Sequence, residues 1–590
     1  MTVSKREILK AKMKYMKLGT RPDSFYTVEA TRSVSSDVPS DLTVQINNIA
    51  YLLHKFPLLP KCGLLQRLRD DSEEGPVKLH NIPGGEEAFE LCAKFCYGIT
   101  INLSAHNFVP AICAAKFLRM TESTERGNFV LKLETFFNSC ILQGWKDSVV
   151  ALQSTTKLPE WSENLGIIGR CIESIVDKIL THPSKVTWSY TYTRPGYAQR
   201  AHRSVPKDWW TEDVADLDID LFRNVIAAVK STKQLPNALI GEALHVYASR
   251  WLPHSSNGWA TSDASSVERA DDAKNKHRRV LESIVSLIPS ERGSVSGGFL
   301  LRLLKVANLV GSSPSTKAEL IKRSGRQLDE ATVHDLLVPS YSTSEPHFYD
   351  VDLVGTILEH FLIHSSRHSS TENGDSLRSM YKVGKLVDQY LQAVARDANI
   401  PASKIAALAE SIPEYARPHH DDLYKAIDIF LKEHPELSKP EKKRLCQVLD
   451  CRKLSNTACM HAVRNERLPL RTLVQVLFLE QTRSSTGLSS SPRLRSEPIR
   501  EESVEPYKES TGKSKLLLST RADHEKERDN GRVVKKPADK TPVASSELEY
   551  KLAKKVIREV EKKAREIVEE DDPGSKSELI KSKRKPSSGR

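Results

Sequence analysis

The sequence predicts an α+β domain at the N-terminus, a large all-α region after it, and a disordered C-terminal tail carrying one short coiled coil or amphipathic helix. Three observations predict this. Residues Asp41 to Leu53 alternate apolar and polar side chains on either side of an Asn47-Asn48 pair, which is the period of a half-buried hairpin. From Asp208 to Arg483 apolar residues recur every three or four positions and strand patterns are nearly absent. After Arg483 the composition shifts to Ser, Pro, Glu, Lys and Arg with few aromatics, too polar to bury a core.

Taken in order, residues 1–37 read as a basic arm. Val44 and Ile46 share one strand face, and Ile49, Tyr51 and Leu53 share the face of the return strand. Asn tolerates the left-handed backbone that a tight hairpin needs. His54-Lys55-Phe56-Pro57 follows, and Leu58 to Leu68 has the rhythm of a short apolar helix. Val77-Lys78-Leu79 is a short strand after a charged loop, Glu86 to Tyr97 a helix stopped by Gly98, and Ile99 to Ile101 a last strand. Asn107 to Arg119 is a further helix.

Helical spacing continues at Gly127 to Leu142 and Leu165 to Leu180. Lys185 to Pro206 interleaves Trp188, Tyr190, Tyr192 and Tyr197 with basic residues. Such a segment can stack on single-stranded nucleic acid, but a connector packing its aromatics on neighbouring helices is the favoured reading. In the all-α region, Asp218 to Lys230, Pro236 to Leu252, Val351 to Leu362 and Ser376 to Arg396 are amphipathic, with Ser255 to Ala273 and His364 to Asp375 as surface loops. No fixed repeat period is present. Leu548, Leu552, Val556, Val560, Ala564 and Ile567 restore a helical pattern near the end.

Composition bounds the function. The net charge of +12 is carried partly by the arm and the KSKRKPSSGR tail. That placement favours solvated tails or anionic lipid over a shaped nucleic-acid groove, so no specific nucleic acid is expected. The nine cysteines are odd in number and scattered, which points to free, buried thiols in a reducing compartment. There is no apolar run of membrane-spanning length and no signal-peptide core, so a cytoplasmic chain, either free or peripheral at the plasma membrane, is expected. Gly-rich phosphate loops, G-x-S-x-G and H-E-x-x-H are absent. No catalytic, cofactor or metal residues are therefore assigned. His419-His420-Asp421-Asp422 cannot converge on one ion, since helical neighbours splay by about 100°; Asp421 or Asp422 as a helix N-cap is the simpler expectation.

The hairpin, His-Lys and helix order, with AFELCAKFCYG and FVPAICAAKFLRM, resembles a BTB/POZ domain. DWWTEDVADLDIDLF from Asp208 and LCQVLDCRKLSNTACMHAVRNERLPLRTLVQVLFLEQTR from Leu445 resemble the plant family of non-phototropic hypocotyl three and root phototropism two-like proteins. The resemblance runs from about Met16 to Arg483. It implies a BTB/POZ domain at 38–125, a helical extension and linker at 126–207 and the family's helical domain at 208–483. A linker at 484–546, a coiled coil or amphipathic helix at 547–570 and a basic tail at 571–590 complete the organisation.

By resemblance the chain is a substrate adapter of a cullin-three ubiquitin ligase, or a plasma-membrane scaffold in light or auxin signalling. Its implied partners are cullin-three, a second BTB domain as self- or hetero-dimer, and a target held by the helical domain. The family pattern marks a tyrosine of the helical domain for phosphorylation, and Tyr424 is the best match; at helical spacing with Ala426-Ile427 and Phe430-Leu431, packing in the core is the alternative. Ser587 and Ser588, after Arg584-Lys585-Pro586, resemble phosphoserine motifs read by 14-3-3 proteins. At Cys62-Gly63 many BTB domains carry Ser before an aromatic, which separates the fold expectation from the cullin contact.

Overall fold

The computed structural model describes residues 14–486 except 71–74, 195–203, 254–266, 341–347 and 369–372. The linker beyond Thr486, the segment at 547–570 and the tail with Ser587 and Ser588 lie outside the described residues.

The N-terminal part holds β1 (Met16–Leu18), β2 (Phe25–Val28), β3 (Thr31–Val34), β4 (Leu42–Ile46), β5 (Ile49–Leu53), α1 (Lys55–Leu58), α2 (Gly63–Asp70), β6 (Val77–Leu79), α3 (Gly85–Cys96), β7 (Ile101–Leu103) and α4 (Phe108–Phe117). Five strands form one sheet in the order β2-β3-β5-β4-β6, and β1 pairs with β7 in a second. The β4–β5 hairpin turns on Asn47 at φ 49°. Leu42, Val44, Ile46, Tyr51 and Leu53 are buried, as the alternation predicts. Tyr51 meets Phe89 of α3 edge-on at 4.9 Å between ring centres, which seats the helix on the sheet.

Two expectations are corrected here. The basic arm is structured from Met16 to Val34. Phe25 packs edge-on against Tyr97 at 6.0 Å, and Lys94 bridges Asp23 and Glu90. β2 and β3 form a short local hairpin, but β3 also pairs in parallel with β5 and β1 pairs antiparallel with β7, far along the chain, and these contacts escape a local reading. The helix expected from Leu58 to Leu68 is two helices, α1 and α2. Pro60 has no N–H to continue a ladder, and the chain turns through Lys61 and Cys62 before α2 begins at Gly63.

The helical part continues with α5 (Phe129–Phe136), α6 (Trp145–Ser154), α7 (Pro159–Asn164), α8 (Ile167–Ile179), α9 (Thr211–Val214), α10 (Ile219–Thr232), α11 (Asn237–Trp251) and α12 (Val267–Leu287). After it come α13 (Gly297–Val310), α14 (Pro314–Arg326), α15 (Val333–Leu336), α16 (Val351–His368) and α17 (Asn373–Val394). The last are α18 (Ala402–Glu410), α19 (Asp421–Glu433), α20 (Lys439–Gln447), α21 (Asn456–Val463) and α22 (Leu470–Thr486). Several starts carry side-chain caps: Asp218 on α10, Ser296 on α13, Ser313 on α14, Ser438 with Glu441 as a capping box on α20, and Ser455 on α21. The expected loops at 255–273 and 364–375 are shorter than their polarity suggests. Val267 to Ala273 belongs to α12, His364 to His368 to α16, and Asn373 to Asp375 to α17, because long helices keep a wet face.

The described residues lie in one compact unit with a continuous apolar core. Phe95 stacks on Phe129 at 4.5 Å and Phe108 on Phe137 at 4.7 Å, so the sheet-bearing part passes into the helices without a solvent gap. Further along, Gly241 of α11 sits against the loop before α13. A Cβ there would lie 1.7 Å from the Ser294 carbonyl oxygen. Gly241→Ala is therefore expected to cost about 3 kcal/mol through forced separation of the two elements. A thermal midpoint unchanged from wild type would refute that close approach.

Candidate interaction surfaces

The opening stretch organises the N-terminal part through hydrogen bonds as well as apolar faces. The Val38 carbonyl can only accept, so its 2.9 Å contact puts the proton on His54 Nε2. Nδ1 is then the acceptor for the Tyr97 hydroxyl at 3.0 Å, and that hydroxyl accepts the His54 backbone N–H at 2.8 Å. The Lys55 N–H donates to Asp41 at 2.7 Å. His-Lys thereby ties residues 38–41 to the end of α3. Phe56 follows directly and points outward, 90% exposed, with Val38 also exposed. A large apolar side chain this bare on a pinned backbone is a contact candidate.

Inside this part, the Cys62 and Cys96 sulfurs are 3.8 Å apart and buried. The mutual hydrogen bond and the burial push the Cys62 thiol well up, so it behaves as a small hydrophobe.

The rare Trp-Trp-acidic run is the junction between the two halves. Trp209 and Trp210 are buried, and Trp209 takes Trp145, Trp188 and Tyr190 against its ring at 4.6, 5.6 and 5.5 Å. Asp213 accepts the Trp145 indole N–H at 2.7 Å and the Thr191 N–H at 3.1 Å. Glu212 accepts the Thr193 N–H at 2.9 Å and its hydroxyl at 3.0 Å. Asp208 accepts from the Tyr192 hydroxyl at 3.3 Å and pairs with Arg194 at 2.8 Å. Burial and the Asp208 carboxylate push the Tyr192 phenol up. The connector at 186–194 is thus held as a strap by three successive carboxylates. Its aromatics are spent on Trp209 and its Arg194 on Asp208 and Glu242, leaving little to stack on bases. Tyr197 lies outside the described residues.

Tyr424 sits in the core of the last helices, 3% exposed. Its hydroxyl lies 2.6 Å from His461 Nδ1 and accepts from Asn465 at 3.2 Å. Asn465 also donates to Asp428 at 2.6 Å. Burial pushes the phenol above its ordinary value. A kinase reaches this hydroxyl only when α19 and α21 part.

The expected N-cap at Asp421 or Asp422 is corrected: both lie in the first turn of α19, after His420, where acids still favour the helix dipole. His420 Nδ1 accepts the Asp450 N–H at 3.0 Å, Asp421 the Ser455 N–H at 2.9 Å, and Asp422 faces Lys425. Burial and the nearby Arg417 and Lys453 push His420 down to about 4, which keeps it a neutral acceptor. The four side chains diverge, and among the described residues no cluster of three His, Cys, Asp or Glu could hold a metal.

Two further surfaces carry no motif. On α22, Leu470, Val474 and Phe478 are exposed at four-residue spacing. Arg464, Arg467 and Arg471 are exposed nearby in sequence, with Arg467 bonded to Asp428. Beside α17, a groove of about 550 Å³ is lined by Phe348, Tyr349, Gln389, Gln392, Arg396 and Ile429 among others. Sequence reading took only the apolar side of α17; the polar positions 389, 392 and 396 follow the same period and were the available signal.

Comparison with known proteins covers most of the chain. The profile of the NPH3 family matches residues 208–459. A BTB/POZ domain-containing protein of Arabidopsis thaliana is 59% identical over 485 residues, covering 81% of this chain and 86% of its own. The phototropic-responsive NPH3 family protein NPY2 of Arabidopsis thaliana is 42% identical, covering 81% of this chain and 78% of its own. Coleoptile phototropism protein 1 of Oryza sativa subsp. japonica is 37% identical, covering 80% and 76%. No solved structure matches.

The strap generates a prediction. Asp213→Ala strips the acceptor from a buried indole N–H and from the Thr191 amide, at an expected cost of about 2–4 kcal/mol. The thermal midpoint should fall, and trypsin should cut at Lys185, which precedes Val186, sooner than in wild type. Equal cleavage rates would show that the strap is held by something else.

Proposed function

The chain belongs to the NPH3 family of BTB/POZ proteins, an adapter type, and from that premise we propose that it is a substrate-specific adapter of a cullin-three-based ubiquitin ligase. The observation that supports this best is the outward Phe56 with Val38, on a backbone pinned by His54 and Lys55. Such a surface suits a stable apolar contact with a cullin, and a neighbouring face suits a second BTB domain. The helical domain holds the target. The chain contributes no chemistry of its own: one compact unit holds target and ligase at fixed separation, which raises the effective concentration for ubiquitin transfer.

Modification regulates this arrangement in the same reading. Phosphate on Tyr424 adds about two negative charges to a hydroxyl packed beside Asp428, so the modified residue does not return to its site and α19 stays parted from α21. Phosphate on Ser587 or Ser588 recruits a 14-3-3 protein and weakens attraction of the basic tail to anionic lipid.

Immobilised full-length chain is expected to retain purified cullin-three, and Phe56→Asp to lower that retention at least about tenfold with an unchanged thermal midpoint. Failure of the wild type to retain cullin-three, or undiminished retention by the variant, would overturn the assignment.

A second reading, a plasma-membrane scaffold in light or auxin responses without ligase activity, is favoured by the apolar stripe of α22 among exposed arginines. No helix among the described residues is long and apolar enough to cross a membrane, so contact would be interfacial. Full-length chain should sediment with vesicles of phosphatidylserine and phosphatidylcholine, and Phe478→Asp should release it. Equal sedimentation of wild type and variant would exclude α22 as the contact.

A further inference from the structure

The groove beside α17 has a built floor, two walls and an unspent charge. Gln389 and Gln392 lie on one face of α17 at helical spacing, and Arg396 continues that face in the turn beyond it. Lys385, exposed one turn before Gln389, lies on the same side. One wall is the pair of extended arms at 338–340 and 348–350, bridged between Pro339 and Tyr349. The Ser340 N–H donates to the Phe348 carbonyl at 2.9 Å, and the Asp350 N–H to the Val338 carbonyl at 2.9 Å. The other wall is α19, through Ile429.

Charge and hydrogen-bonding capacity in the groove are unequal. Asp397 is the acid among the lining residues, and both its oxygens are occupied: one accepts the Phe348 N–H at 2.6 Å, the other the Asn399 N–H at 3.1 Å. Arg396 and Gln389 carry no hydrogen bond or ion pair among the described residues. Gln392 spends its NH₂ on the Asp422 carbonyl at 2.9 Å, which leaves its own carbonyl oxygen. Phe348 is 69% exposed although its backbone is bonded on both sides, so its ring is held at the rim of the groove.

We propose that this groove is the docking site for an extended acidic peptide segment of the target, anchored by one apolar side chain. A ligand carboxylate pairs with the Arg396 fork, whose geometry fits it bidentately. The two glutamine carboxamides meet the peptide backbone, and Phe348, Tyr349 and Ile429 enclose the anchor. The size suits it, since ligand pockets are of the order of 300–1,000 Å³. A lipid surface fits less well, because Arg396 lines a recess and not a convex face. The proposal rests on the adapter reading and names its target chemistry.

A phage library of random peptides of about twelve residues, panned on the full-length chain, supplies the probes, and labelled synthetic copies are measured by fluorescence anisotropy. Enrichment of Asp and Glu around one aromatic or aliphatic residue is expected. Affinity should fall at least about tenfold for Arg396→Glu and for Phe348→Ala, and about tenfold from roughly 50 to 300 mM NaCl. Both side chains are exposed, so both variants should keep the wild-type thermal midpoint. Winners without acidic excess, or acidic winners that bind Arg396→Glu as tightly as wild type, would overturn the site. So would a loss of vesicle sedimentation in Arg396→Glu with peptide binding intact. Cullin-three retention does not involve this groove, so a failed peptide contact beside an intact cullin contact refutes the groove and leaves the adapter reading standing.

Discussion

Three acidic side chains within six residues, Asp208, Glu212 and Asp213, are the interaction on which the two-part architecture depends. Buried carboxylates are costly unless every lone pair is answered. Here the answers come from backbone and side-chain donors of an otherwise irregular strap and from the indole of Trp145. The acids therefore do more than stabilise: they specify which segment lies across Trp209 and in which register. A purely apolar junction would bind any greasy connector, whereas this one accepts only a chain whose amide groups fall at matching intervals. The sheet-bearing half and the helical half are consequently held as a single body and not as beads on a tether. That rigidity is what an adapter needs if its two ends are to stay a fixed distance apart.

Much of this was legible in the sequence, for identifiable reasons. The β4–β5 hairpin announces itself because its pairing is local: five residues, two asparagines and five residues contain the whole interaction. The large helices announce themselves through the same periodicity that buries Leu391, Val387 and Val383 of α17. The strands between Met16 and Val34 were hidden because alternation over three or four residues carries little signal, and because β1 and one edge of β3 find their partners elsewhere in the chain. The break between α1 and α2 was visible as Pro60 but was overridden by the run of leucines around it.

The interaction surfaces were less legible than the fold, and the reason is physical. A core leaves a pattern because many residues obey one constraint, burial. A contact surface is defined by what its residues lack, as Phe56 lacks cover and Arg396 lacks a counter-charge, and a missing neighbour leaves no trace in the order of letters. Trp209-Trp210 drew notice as a rarity, yet the threonines that answer its acids, Thr191 and Thr193, were ordinary. Tyr424 illustrates the reverse: a motif position carried from relatives lands on a hydroxyl enclosed by His461 and Asn465.

The remote pairing of the first strands also bears on how the chain is made. Residues leave the ribosome in order, so β1 emerges long before β7, its strand partner among the described residues, and β3 before β5. During synthesis β2 and β3 can pair with each other at once, but β1 waits until residues beyond Leu103 have cleared the exit tunnel, and contacts of such separation form slowly. The β4–β5 hairpin, complete within a few residues, can form first and present its edge to β3. Translation thus imposes a sequence of events in which β1 is among the last strands to be installed, and a nascent-chain chaperone would find Met16 to Leu18 waiting.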